Sequence, residues 1–271
     1  MNGYILNLVT CFDNRGFTKH YNAKIVILFQ IPKMKYKKRV RLYSNSRVAK
    51  YYRATSGDKN KAVMLYFANM KIAQAFHPLL SSFEVILRNQ LHYALAHHFS
   101  DGNWIINQKN GFMVASSLTH TNKRTKKQVT NRYLLTEVQK AEKKISDRGA
   151  RITAGRVIAE QTLGFWNSFY EVHHYILLSG VPCTIFKKLP SGYGRKQVND
   201  VITQVRELRN RINHNEPICF VNKKCDFSYV REMYRLISEF LFWIDPEIMP
   251  SLKEVDKVIK TIDKEEQKQK G

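Results

Sequence analysis

Between residues 60 and 99 the apolar positions recur at steps of three and four. "NKAVMLYFANMKIAQAFH" (60–77) sets this helical period and "PLLSSFEVILRNQLHYALAHHF" (78–99) continues it. Proline suits a first turn, so Pro78 predicts the start of a second helix. "DGNW" (101–104) reads as a turn, and the polar stretch 107–128 as a loop. "NRYLLTEVQKAEKKISDR" (131–148) predicts an exposed basic helix. "AGRVIAEQTLGFWNSFYEVHHYIL" (154–177) predicts an apolar, aromatic core segment, with Gly164 permitting a close approach or a break. Helices are further predicted at about 195–213, at "FSYVREMYRLISEFLFWI" (227–244), and in the charged segment after Pro250. Few stretches alternate in the strand pattern, and no unit repeats with a period of about 20–50 residues. The predicted class is all-α.

The organisation changes at the N-terminus. Residues 1–33 carry no clear helical period, and Met34 opens a stretch that looks like a natural start. We therefore expect an upstream extension at 1–33, poorly ordered. A basic arm follows at 34–58, then a helical domain at 59–249 and a charged helix or tail at 250–271.

Charge narrows the function. The chain has 271 residues and a net charge of +23. Such a field favours an anionic partner, either nucleic acid or a lipid surface. The longest apolar run, "IVILFQI" (25–31), is far short of the ~20 residues that span a bilayer. The N-terminus lacks the basic stretch of a secretory signal. Cys11, Cys183, Cys219 and Cys225 form no CxxC pair, so no zinc site or disulfide scaffold is expected; reduced thiols in a cytosol fit them.

The candidate chemistry lies in "ELRNRINHNEP" (207–217). Val198, Val201, Ile202, Val205, Leu208 and Ile212 form the apolar stripe of this helix, with Arg209 and Asn210 on its flank. Asn210 and His214 are four apart and share a face. A residue before proline avoids the α region, so the helix should end here and His214 should project from its last turn. With 17 arginines and 9 histidines, chance alone gives about 0.6 Arg–His pairs at this spacing. Arg15 and His20 form such a chance pair, with no apolar stripe behind it. Arg209 and His214 could equally be cations placed at a helix C-terminus to suit its dipole.

"RELRNRINHNEP" resembles the signature of the abortive-infection (Abi-like) proteins, a branch of the HEPN superfamily, in which Arg, a polar residue and three further residues precede a His. "YSNSRVAKYY" (43–52), "KAVMLYFANMKIAQAF" (61–76), "FEVILRNQL" (83–91) and "TLGFWNSFY" (162–170) are similar to the family's other blocks, in the family's order, over about 40–245. The resemblance implies an all-α, HEPN-like helical bundle with additional helices and the basic N-terminal arm. It also implies a cytoplasmic bacterial homodimer that cleaves RNA in phage defence or as a toxin, with no cofactor and no metal. By motif, Arg209 and His214 would be catalytic and Asn210 would support them. A histidine can move protons at neutral pH, and a guanidinium offers a fixed fork of donors to phosphate. One His per chain is thin for separate acid and base roles; a two-fold dimer would supply a second.

Other residues admit two readings. Glu84 and Arg88, four apart, read first as a helix ion pair; the family pattern gives Glu84, Arg88 and Asn89 a bracing role near the site. His92 reads as helix surface or core. His97, His98, His173 and His174 form adjacent pairs that point apart on a helix, so no metal site is expected there. Phe165, Trp166 and Phe169 read as core rather than stacking platforms. Residues 35–53 hold eight basic residues, no acid and four tyrosines. Lys35, Lys37, Lys38, Arg39, Arg41 and Arg47 are expected to contact RNA phosphates, with tyrosines stacking on bases. The second basic region, 123–156, would add Lys123, Arg124, Lys126 and Lys127. Three classes remain open: a ribonuclease, a catalytically silent RNA-binding protein acting with a small structured RNA, and a membrane-surface protein. The arm's tyrosines do not gather on one apolar face, which counts against the membrane.

Overall fold

The computed structural model describes residues 34–121, 124–222 and 224–270. The expected extension at 1–33 and the pair Arg15 and His20 lie outside the described residues, as does Lys123. The helices are α1 (Tyr36–Tyr43), α2 (Asn45–Ala54), α3 (Lys59–His98), α4 (Trp104–Asn107), α5 (Tyr133–Asp147), α6 (Ala154–Glu160), α7 (Leu163–Ser168), α8 (Val172–Leu177), α9 (Arg195–Asn213), α10 (Ser228–Ile244), α11 (Ile248–Ser251) and α12 (Val258–Lys270). Two short antiparallel hairpins interrupt them. β1 (Thr119–Thr121) pairs with β2 (Gln128–Thr130), and β3 (Phe220–Val221) with β4 (Lys224–Cys225). The all-α class holds.

Helix α3 is the spine. At 1.5 Å per residue its 40 residues run about 60 Å. Asp58 caps its start, accepting from the backbone N–H groups of Asn60 and Lys61. Its buried face, from Leu65 through Ile72, Phe76, Leu80, Phe83, Leu87 and Leu91 to Leu95, meets α2, α7, α9, α10 and α12. The break expected at Pro78 does not occur, and the helix runs through it. A proline inside a helix removes one backbone hydrogen bond and costs about 3 kcal/mol. Phe76, Leu79 and Leu80 flank it and are all buried, so core packing on both sides offsets that cost.

Other segments differ in detail. The expected core stretch 154–177 is divided into three short helices, α6, α7 and α8. Its core aromatics Phe165, Trp166 and Phe169 are fully buried, as expected. Gly164 serves a close approach: a Cβ there would lie 3.2 Å from the Tyr133 hydroxyl. The polar stretch 107–128 is not plain loop; it holds short 3-10 turns that bury Phe112, Met113 and Leu118, then the first hairpin. The charged C-terminal segment docks α12 on α3, burying Val258 and Ile262.

The basic arm is helical. α1 and α2 fold back on α3, with Tyr51 fully buried against Tyr66 and Phe220. Tyr51 is therefore a core residue and not the stacking surface expected. Tyr36 and Tyr52 pack against each other at 6.1 Å.

Candidate functional site

The end of α9 is built by backbone geometry as much as by side chains. His214 is its C-cap residue, and Asn215 follows at φ 50°. The Glu216 N–H donates to Arg211 O at 2.7 Å and the Asn215 N–H to Ile212 O at 3.0 Å. This paired closure stops a helix where one residue turns left-handed, and asparagine is one of the few that does so cheaply. Pro217 follows, as the sequence pattern anticipates. His214 is exposed, where the sequence reading put it.

Three contacts fasten this end to the rest of the protein. Arg209 Nε lies 3.1 Å from Glu84 Oε2 on α3, with the two side chains 35% and 20% exposed. The Arg211 guanidinium sits over the Tyr229 ring of α10 at 5.4 Å. Arg47 Nη2 of α2 donates to the His214 carbonyl at 3.4 Å. The helix ion pair expected between Glu84 and Arg88 is thus replaced by a tie between helices. Geometry accounts for it: Glu84 faces α9, where a flanking arginine can reach it. Arg88 Nε is buried without a hydrogen-bond partner among the described residues, and Asn89, next to it on α3, is half-buried.

Just past the helix end, Asn69 performs a role that pattern reading missed. It is only 3% exposed, on the apolar face of α3. Its amide donates to Glu216 O at 3.2 Å and its carbonyl accepts from the Ile218 N–H at 2.7 Å. One side chain thereby satisfies two backbone groups of the segment that follows α9 and fixes the chain after His214. The available signal was a polar residue within a buried stripe, which must find partners.

The monomer does not bring the motif residues together. Arg209 is held toward α3, whereas the His214 carbonyl is bound by Arg47 of α2. The His214 N–H donates to Asn210 O at 2.9 Å, an ordinary helical bond. No side-chain hydrogen bond joins Arg209, Asn210 and His214 among the described residues. The exposed end of α9 instead borders a cleft of about 380 Å³, lined by Ser44, Ser46, Arg47 and Lys50 on one side and residues 214–217 on the other.

The expected phosphate contacts separate by position. Lys35, Lys37, Lys38 and Arg41 are exposed on and before α1. Arg39 is half-buried, its guanidinium 5.3 Å from the Phe67 ring and its Nε bonded to Met34 O at 3.3 Å, so it serves the fold. Arg47 is the arm cation that contacts the α9 end. Arg124, Lys126 and Lys127 are exposed between β1 and β2.

The remaining histidines are elsewhere. His92 Nδ1 accepts from Trp104 Nε1 at 3.1 Å, and burial lowers its pKa. His174 is fully buried, with Nδ1 donating to Ser168 O at 2.9 Å; burial is the main cause of its lowered pKa, against an opposing effect of that carbonyl. His173 stacks on His120 at 4.9 Å. Among the described residues no cluster of three or more His, Cys, Asp or Glu is arranged to hold a metal ion, and no helix is long and apolar enough to cross a membrane.

A family model described as Abi-like protein matches residues 16–219. The match begins upstream of Met34, so residues 16–33 fall inside it, whereas the sequence blocks place the likeness at about 40–245. It ends just before β3, after the α9 end and the Asn69-anchored turn. No curated protein and no solved structure matches the chain significantly. The matched span covers well over half of the sequence and carries every block of the motif, and the protein belongs to the Abi-like family.

Proposed function

We propose that this Abi-like protein is a metal-independent endoribonuclease of abortive-infection or toxin type, with Arg209 and His214 as its catalytic residues and Asn210 in support. The observation that carries the reading is the treatment of the α9 end. Arg209 is braced by Glu84, and His214 is presented to solvent on a rigidly closed helix terminus beside a cationic cleft.

In the reaction, the RNA 2′-OH attacks the neighbouring phosphorus and the bond from phosphorus to the 5′-oxygen breaks. The products are a 2′,3′-cyclic phosphate and a 5′-hydroxyl. His214 moves protons, and the Arg209 guanidinium offsets charge on the phosphoryl oxygens. In one protomer these groups face different ways. A homodimer pairing two α9 ends would place one chain's Arg209 beside its partner's imidazole and supply two histidines. The exposed arm cations and the hairpin cations would hold the RNA backbone. The family suits a cytoplasmic protein restrained by a small structured RNA.

The test is cleavage of end-labelled RNA in EDTA, with analysis of the product ends and light scattering of the enzyme. Cyclic phosphate ends made in EDTA by a dimer are expected. Cleavage that needs added metal, or that leaves 3′-hydroxyl ends, contradicts the mechanism. Full activity from a species that stays monomeric contradicts the pairing. A second reading, a catalytically silent RNA-binding protein, is favoured by the separation of Arg209 from His214 in the monomer, and it predicts binding without cleavage.

A further inference from the structure

The cleft beside His214 has two walls that lie more than 160 residues apart in the chain. One wall is the cap and first two turns of α2, with Ser44, Ser46, Arg47 and Lys50; the other is His214, Asn215, Glu216 and Pro217. Lys50 is exposed and has no ion pair among the described residues. Arg47 commits one nitrogen to the His214 carbonyl, and a guanidinium keeps further donors. The Ser44 and Ser46 hydroxyls lie 3.2 Å apart on the same wall. Glu216 is the one acid on the lining, so two cations face one carboxylate. The volume, about 380 Å³, is that of a small ligand site.

We propose that this cleft is a backbone-phosphate subsite for RNA. It holds a phosphodiester next to the one cut, with Lys50 and Arg47 as its cations and one of the paired serine hydroxyls as a donor. The word "next" rests on the ribonuclease reading above; the binding of a phosphodiester does not. Among the arm cations, Arg47 and Lys50 are those that border His214, whereas Lys35, Lys37, Lys38 and Arg41 lie farther back along the arm. The arm would therefore do more than raise affinity, since it would set which phosphate reaches the imidazole. Glu216 opposes binding and tunes its strength.

The experiment uses the full chain and a short single-stranded RNA whose 2′-O-methyl groups prevent cleavage by its own hydroxyls. Affinity is measured over a range of salt for wild type, Lys50→Gln, Glu216→Gln and a control, Lys253→Gln, at an exposed lysine beyond α11. Lys50→Gln is expected to weaken binding and to make the log–log salt slope shallower by about 0.7, the value for one neutralised phosphate on a single strand. Glu216→Gln is expected to bind more tightly. On cleavable RNA, Lys50→Gln should raise KM, because the group holds a phosphate beside the one that reacts. If Lys50→Gln and Lys253→Gln match in affinity and slope, the subsite is wrong even where the enzyme cleaves. If the wild type cleaves nothing, the ribonuclease reading falls, while the binding series still decides the subsite.

Discussion

Glu84 Oε2 lies 3.1 Å from Arg209 Nε, joining the middle of α3 to the last turns of α9. The pair is partly exposed, so its contribution to stability is small, about 1 kcal/mol or less. Its consequence is geometric. The carboxylate draws the Arg209 guanidinium toward α3.

Glu84→Gln keeps the shape and removes the charge. Cleavage should fall about ten- to a hundred-fold, the scale on which misplacement of a catalytic group acts. The melting temperature should change little. Parallel measurement of kcat/KM and thermal unfolding checks this; equal cleavage by both proteins shows that the brace does not serve catalysis.

Asn69→Ala should leave the buried Ile218 N–H without a partner, at about 1–3 kcal/mol, and remove the donor to the part-buried Glu216 carbonyl. A lowered melting temperature is expected, together with loss of cleavage through displacement of the segment after His214. Asn215→Val, a β-branched residue at a left-handed position, should act in the same direction, whereas Asn215→Gly should be tolerated. Thermal unfolding of the three variants separates these outcomes.

Replacing Lys35, Lys37, Lys38 and Arg41 with glutamine should flatten the salt dependence of RNA binding, because fewer phosphates are then neutralised and fewer counterions are released. Arg39 is left intact in that variant because it packs on Phe67. An unchanged slope in filter binding would place the RNA elsewhere.

His174 gives the fold a pH dependence. Its pKa is lowered mainly by burial, so below the ordinary histidine value of 6.5 the unfolded chain binds a proton that the folded chain resists. Stability should be full above that value and decline as pH falls toward the lowered pKa. His92, lowered for the same reason, adds in the same direction. His174→Asn can keep the donor to Ser168 O and cannot titrate. Its melting temperature should drop less between about pH 7 and pH 5 than that of the wild type.

Much of this architecture was legible because helical periodicity is local. The stripe of Val198, Val201, Ile202, Val205 and Leu208 identifies α9, and all five are buried. Pro78 misled because local propensity favours a break there, whereas the flanking buried residues come from long-range packing. Tyr51 misled for a related reason: an arm rich in lysine and arginine conceals one face that packs on α3. The motif residues were readable, but their partners were not. Glu84 has an equally good local partner in Arg88, and only the crossing of α3 with α9 selects Arg209. Asn69, Arg47 and Lys50 reach the α9 end across long stretches of chain, and no sequence spacing encodes that.

The most direct measurement is RNA cleavage by purified His214→Ala, compared with Leu208→Ala, under conditions where wild-type cleavage is established. His214 is an exposed helix cap, so the variant should keep its fold and its RNA affinity while cleavage falls about 10²–10⁴-fold. Leu208, fully buried, should instead lose about 2–5 kcal/mol of stability. A folded His214→Ala protein that cleaves like the wild type would contradict the account and leave the end of α9 as a helix cap alone.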